Sequence, residues 1–411
     1  MLCWANQYSV CCFLDNNGYQ HSGNAYECLA AVNAVHTFIP GANQVLPSLK
    51  AFLKDNKDWL FGHFCYNSTL PGYQQQAAHL PEHVQFAPAF LFQPETVAEL
   101  KSDKVIISTL LADPQSVYLT ILSQQIPEAT AQTSIAVQPR FTREAYLETL
   151  QHILQHIQRG DCYEINFCQE FYAQNVQIAP YQLFKRLNNL SPTPYAAFYK
   201  LQHQYALCAS PERYLKKEGN KLISQPIKGT AKRIPDSPEK DAEAREALYN
   251  SPKERSENVM VVDLVRNDLS QICHPGSVTV DELFGIYSFP QVHQMISTIS
   301  GELLPGKDLA DILEATFPMG SMTGAPKKRV LELTNQYERT QRNLYAGSIG
   351  YINPNGDFDF NVVIRSILYN EADNYLSYHV GGGITFYSNA VKEYEECLLK
   401  ASAMNKVLGM L

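Results

Sequence analysis

No two of the ten cysteines stand in a C-x-x-C arrangement, so neither a zinc ribbon nor a thioredoxin-like redox pair is expected. Scattered single thiols in a chain of 411 residues read as reduced, mostly packed side chains. No Lys or Arg precedes Lys50, so the beginning of the chain carries no basic region of the secretory kind. Apolar stretches such as 105–112 are too short and too polar to span a bilayer. Basic excess is missing as well: 33 Lys and Arg stand against 41 Asp and Glu, a net charge of −8. A polyanion binder usually shows the opposite balance, so nucleic acid is not an expected partner. There is no fixed-period repeat, no low-complexity segment and no charged tail. With 45% apolar and 18% charged residues, the composition fits a folded protein of enzyme size, expected to be cytoplasmic.

Patterning supplies the elements. Residues 8–14 and 59–66 alternate as strands between turns. A helical stretch within 113–139 runs into a Gln- and Thr-rich passage ending at Pro139. That passage divides an N-terminal portion, 1–139, from the remainder, 140–411. Thr142 opens an amphipathic helix carrying Tyr146, Leu150, Ile153, Leu154 and Ile157, which Gly160 stops. Strands are predicted at 163–172, 195–201, 205–209, 221–226, 345–352, 360–368 and 375–380. Helices are predicted at 238–249, 252–269, 309–315, 326–337 and 389–411. Strands and helices cluster instead of alternating strictly, which favours an α+β architecture with largely antiparallel sheets.

Several segments carry residues suited to chemistry. Ser251, Pro252 and Glu254 have the form of a capping box. On the helix that follows, Glu254 and Glu257 share a face with Val261, Leu264, Val265 and Asp268. Such a pair is either a cap plus a solvated Glu, or two partly buried carboxylates suited to Mg²⁺ ligation and proton transfer. The closing helix carries Glu393, Glu396 and Lys400. Alone, Glu396 and Lys400 form a surface i,i+4 pair. Facing the first helix, these carboxylates complete a site for one hard cation. Lys228 ends a strand beside Gly229 and Thr230. It is a plain surface charge, or a nucleophile if desolvation or neighbouring cations remove its proton. The 319–327 loop, with Ser321, is rich in Gly and hydroxyl groups and enters a helix at Pro326. It is no P-loop, because three residues separate Gly320 from Gly324 and Lys does not follow. Gly381, Gly382 and Gly383 imply backbone under a ligand or in a tight corner. Arg365, in an apolar segment, requires a carboxylate partner from the protein or a substrate.

Together these landmarks resemble the chorismate-utilising enzymes of the anthranilate synthase component I type. They are Gly160 to Tyr163, Ser210 to Tyr214, Pro226 to Thr230, Val262 to Asp268, Gly320 to Lys327, Ile364 to Ser366, Gly381 to Gly383 and the closing acidic helix. The resemblance runs from about Phe141 onward and implies two antiparallel sheets packed as a sandwich with helices outside. It implies Mg²⁺ as cofactor, held by Glu257 and Glu396 with Glu393 nearby. It implies that Ser321, Tyr351, Arg365, Lys400, Gly229, Thr230 and Gly381 to Gly383 hold the carboxylates of chorismate. It further implies Glu254 as the acid/base for the departing hydroxyl and Lys228 as a nucleophile at C2, made neutral by surrounding cations. Anthranilate-forming members resemble this motif with Ala at the Lys228 position, so Lys228 implies the branch that forms 4-amino-4-deoxychorismate for 4-aminobenzoate and folate synthesis. Anthranilate synthase, isochorismate synthase and a non-catalytic chorismate-binding subunit are the alternatives. No glutaminase motif is recognisable, so a separate glutamine amidotransferase subunit is the expected source of ammonia. Two positions depart from the family: Gln294, where His is common, and Glu164, where Gln is common in amine-forming members. The tryptophan-binding pattern of feedback-inhibited relatives is not seen.

Overall fold

A computed structural model describes residues 1–19, 23, 26–41, 44–68, 79–127 and 134–410. The Gln- and Thr-rich passage read as a boundary lies partly outside them. Every strand pairing is antiparallel, and the pairings form one continuous ladder folded over into two facing sheets. The first sheet runs from Glu164–Ala173 through Tyr375–Thr385, Ser366–Asn370, Gln204–Ser210, Tyr195–Leu201 and Val10–Asp15 to Cys28–Phe38. The second runs from Ala89–Lys101 through Leu60–Phe64, Ser348–Ile352, Phe358–Asn361, Arg213–Glu218 and Lys221–Gln225 to Val292–Glu302. Strands Thr279–Ser288 and Ile227–Lys232 both pair with Val292–Glu302. The long pair Cys28–Phe38 and Ala89–Lys101 turns the corner. Ala30, Val32 and Ala98 lie under the helices of the first sheet, while Phe38, Ala89 and Leu91 lie under those of the second.

The period of two along each strand builds three apolar layers. On Val10–Asp15, Cys11 and Phe13 face helices while Cys12 and Leu14 face the opposite sheet. The inner layer is aromatic: His63 Nδ1 on one sheet lies 2.9 Å from the Tyr199 hydroxyl on the other. Helices Arg143–Gln158, Pro180–Leu190 and Ala390–Val407 cover the first sheet; Val45–Asp55, Pro252–Ser270 and Leu309–Thr316 cover the second. All ten cysteines are free thiols and eight are buried. Among the described residues no helix is long and apolar enough to cross a membrane.

Two local expectations need correction. Ser251 Oγ accepts from the Glu254 amide at 3.4 Å, but the Ser251 amide donates to Leu248 O rather than to the Glu254 side chain. The reciprocal half of the capping box is therefore absent, and the Glu254 carboxylate is left for the site. The single strand predicted over 360–368 is two, Phe358–Asn361 and Ser366–Asn370, in different sheets. Arg365 lies between them at φ +50°. An unbroken apolar run hides such a corner, because both flanking segments are buried.

Gly62 marks the tightest strand approach, pairing with Gly350 on one side and Leu91 on the other. A Cβ there would overlap Phe90 O. Gly62→Ala is expected to cost about 2–3 kcal/mol of stability through strand displacement. Urea denaturation checks this, and an unchanged midpoint would refute it.

Candidate active site

The site forms where the two acidic helices meet the ends of three strands. Lys228 leaves the strand Ile227–Lys232, and Glu164 opens the strand Glu164–Ala173. Lys228 Nζ donates to Glu164 Oε1 at 2.7 Å, with the two side chains only 11% and 2% exposed. Gly383, opposite Asn166 in the ladder, makes room for this pair. A Cβ on Gly383 would stand 2.6 Å from Lys228 Nζ and 2.8 Å from Glu164 Oε1. Asn258 Nδ2 donates to the Lys228 carbonyl at 3.4 Å and is itself held by Ser297 Oγ at 2.6 Å.

Carboxylates surround the lysine. Burial alone would lower the Lys228 amine, but the Glu164, Glu257 and Glu212 carboxylates outweigh it and hold the ammonium above the usual lysine range. The surroundings are therefore acidic on balance, not the cationic pocket that was expected, and Lys228 rests protonated. Burial pushes Glu257 up to about 7, with Lys228 and Lys253 pulling it back. Burial also raises Glu254 and Glu393. Glu396 is held below the usual range by Lys400, 2.9 Å away. Lys253 sits in the field of Glu257, Glu393, Glu396 and Glu254 together, so the two helices do face each other.

The donor set suits a hard cation. Glu257 Oε1 is buried and accepts no hydrogen bond, with Lys253 Nζ 3.8 Å away. A Cβ on Gly382 would stand 3.6 Å from Glu393 Oε2 and 3.9 Å from Glu396 Oε1. Among the described residues, no three His, Cys, Asp or Glu side chains are already drawn together as a metal cluster. Carboxylate oxygens, one of them orphaned, are the chemistry Mg²⁺ accepts, with waters and an anionic ligand completing the shell.

A second group gathers around Arg365. Its guanidinium has no hydrogen bond or ion pair among the described residues, and burial lowers it to about 10 despite Glu212 nearby. Glu212 is fully enclosed, and burial pushes its carboxyl up to about 7. Ser321 Oγ donates to Glu212 Oε1 at 2.5 Å, and Asn166 Nδ2 donates to the Ser321 carbonyl at 3.0 Å. Folding thus makes Glu212 bind its proton more tightly. The resulting stabilisation is full below about pH 4.5 and is lost as pH rises towards 7. Glu212→Gln should therefore be more stable than the parent at pH 8, by on the order of 2–3 kcal/mol, with the gap closing near pH 4.5. Thermal melts across that range test it, and a gap that stays constant would contradict it.

Most of the predicted residues converge here: Lys228, Gly229, Glu254, Glu257, Glu393, Glu396, Lys400 and Gly381 to Gly383. Gly229 lies against Glu254, while Thr230 is exposed and pairs with Gln294. Lys400 donates to Gly381 O at 2.9 Å besides pairing with Glu396, so it braces the glycine segment. Ser321 is committed to Glu212. Tyr351 is not brought to the cluster. Its ring lies in the inner layer against Tyr26, Trp59 and Phe61. Strand alternation turns it inward, away from the acidic helices. Gln294 is buried with Oε1 unpartnered, whereas His293 points elsewhere, to Asp241 and Ser288. Sequence reasoning gave no role to Glu212 or Lys253. Glu212 lies within a recognised landmark, and the only signal was an acid between Pro211 and Arg213 in an otherwise apolar neighbourhood.

Comparison with known proteins identifies the family and the fold. The chorismate binding enzyme family matches residues 10–406. Aminodeoxychorismate synthase component 1 of Klebsiella aerogenes is 39% identical over 300 residues, 73% of this chain and 65% of that protein. The Bacillus subtilis protein of the same name is 36% identical over 313 residues, 75% of this chain and again 65% of its own length. The matched stretch thus spans just under two thirds of these relatives. Anthranilate synthase component I from Streptococcus pneumoniae superposes with a TM-score of 0.77 at 24% identity, covering 92% of this chain and 91% of that one. The menaquinone-specific isochorismate synthase of Escherichia coli gives 0.78 at 18% identity, covering 99% and 90%. A family match over nearly the whole length, with relatives 36–39% identical, leads to one conclusion: this chain belongs to the chorismate binding enzyme family.

Proposed function

We propose that this protein is the chorismate-aminating component of an aminodeoxychorismate synthase, converting chorismate and ammonia to 4-amino-4-deoxychorismate. The observation that carries the reading is Lys228, an enclosed amine in contact with a carboxylate and set among acids. Relatives named for this activity, 36–39% identical, support it. Lys228 adds at C2 of chorismate while the C4 hydroxyl departs as water, taking a proton from a carboxylic acid. Glu254 and Glu212, both pushed up by burial, are the acids that keep such a proton. Ammonia then adds at C4, the C2–N bond breaks and the lysine is released.

Arg365, without an ion-pair partner among the described residues, would take a substrate carboxylate in a charge-assisted pair. The Gly381 to Gly383 backbone offers a surface without side chains beside it. Glu257, Glu393 and Glu396 would hold Mg²⁺, which supplies positive charge to a substrate carboxylate. Ammonia is assigned to a separate glutamine amidotransferase subunit, and the product to 4-aminobenzoate and folate synthesis. Incubation with chorismate, Mg²⁺ and ammonium, followed by aminodeoxychorismate lyase, should yield 4-aminobenzoate. Anthranilate with pyruvate would overturn the assignment, and Mg²⁺-dependent binding of chorismate without turnover would indicate a non-catalytic subunit.

A further inference from the structure

We propose that Glu164 is the proton acceptor that converts Lys228 from ammonium to amine. The proposal rests on the nucleophilic role of Lys228 given above. An ammonium has no lone pair, and Lys228 rests protonated, so a proton must leave Nζ before any bond to carbon forms. Among the described residues its one ion-pair partner is Glu164. Transfer along that 2.7 Å hydrogen bond moves a single proton from Nζ to Oε1 and leaves a neutral amine beside a neutral carboxylic acid. No other bond changes, and no solvent need enter.

The surroundings favour this acceptor. Glu164 Oε2 is buried and receives no hydrogen bond, so Lys228 is the chief support of the carboxylate charge. Burying an ion pair costs solvation that a neutral pair does not lose, which narrows the gap between the two forms. The other charges facing Lys228 stand farther off. They are Glu254, Glu257 and Lys253 on Pro252–Ser270, Glu396 and Lys400 on Ala390–Val407, Glu212 before Arg213–Glu218, and Arg365. None of the carboxylates among them forms an ion pair with Lys228 within 4.0 Å. Glutamine at position 164 would keep the size and the hydrogen-bond acceptor but could not take the proton.

The test is the first half of the reaction. Enzyme is mixed with chorismate and Mg²⁺ without ammonia, and intact-protein mass spectrometry follows the gain of chorismate less water. Glu164→Gln should form this adduct about 10²-fold more slowly at pH 7, the lower range for loss of a positioned base. In that variant no carboxylate among the described residues touches Nζ, so the ammonium proton must go to solvent. The ratio of parent to variant rates should therefore fall about tenfold per pH unit between pH 7 and 9; taking the ratio cancels groups common to both proteins. Equal rates at pH 7, or a ratio independent of pH, would overturn the role of Glu164 while leaving Lys228 as nucleophile. Product formed by the parent with no adduct at any time would instead remove the lysine route, and the acceptor with it. Should the Gln variant not fold, Glu164→Asp retains the acid and must keep a pH-independent ratio; a falling ratio there counts against the proposal.

Discussion

Lys228→Ala is expected to form no chorismate adduct and to aminate chorismate slower by a factor on the order of 10³, leaving only direct attack by ammonia. The same change should destabilise the fold. Both oxygens of Glu164 would then be buried without a donor, since among the described residues Lys228 is the one hydrogen-bond partner of Oε1 and Oε2 has none. Breaking a buried pair from one side costs about 3–5 kcal/mol at neutral pH. The double variant Lys228→Ala, Glu164→Gln removes the stranded charge and should recover most of that stability while recovering no activity. Urea denaturation and the ammonia-free adduct assay read the two effects separately. Turnover unchanged in the single variant would exclude the covalent route, and a double variant as unstable as the single would exclude the stranded-charge explanation.

Arg342→Leu should be nearly as costly without touching substrate. The guanidinium is 2% exposed and donates to Glu338 at 2.6 and 3.0 Å, to Met322 O at 2.7 Å and to Asn166 O at 2.6 Å. Glu338 in turn accepts from the Cys168 amide at 3.0 Å. Arg342 therefore joins the strand that carries Glu164 to the turn that carries Ser321. Its loss strands a buried carboxylate and two carbonyls, which is worth at least about 4 kcal/mol. Against a typical total of about 5–15 kcal/mol, such a loss populates unfolded chains at growth temperature. Chemical denaturation measures it, and a change below about 1 kcal/mol would show that the site rebuilds its bonds elsewhere.

What could be read in advance follows from the range of each interaction. Glu254 and Glu257 share a face because three residues is nearly one helical turn, so local spacing shows it. The closing helix was legible from its Asn389 cap, which accepts from the Val391 and Lys392 amides. That the two helices face each other came through the family resemblance, since no local pattern carries it. Tyr351 was assigned through the family resemblance alone, and only the folded strand Ser348–Ile352 shows that its ring turns into the inner layer. The charge state of Lys228 depends on Glu164 and Glu212, distant in sequence and brought near only by strand pairing. An isolated acid after Pro211 gives no periodic signal, so the enclosed carboxyl of Glu212 became visible only in the fold.

The continuous ladder also bears on how the chain is made. Val10–Asp15 sits between Cys28–Phe38 and Tyr195–Leu201, and Leu60–Phe64 pairs with Ser348–Ile352. Neither early strand has its full set of neighbours until segments far along the chain have been synthesised. Such high contact order predicts slow folding, with aromatic edges such as Phe61 and Phe64 left unpaired on the nascent chain. Chaperone demand during synthesis, rather than marginal stability afterwards, is then the expected limit on how much of this protein a cell accumulates.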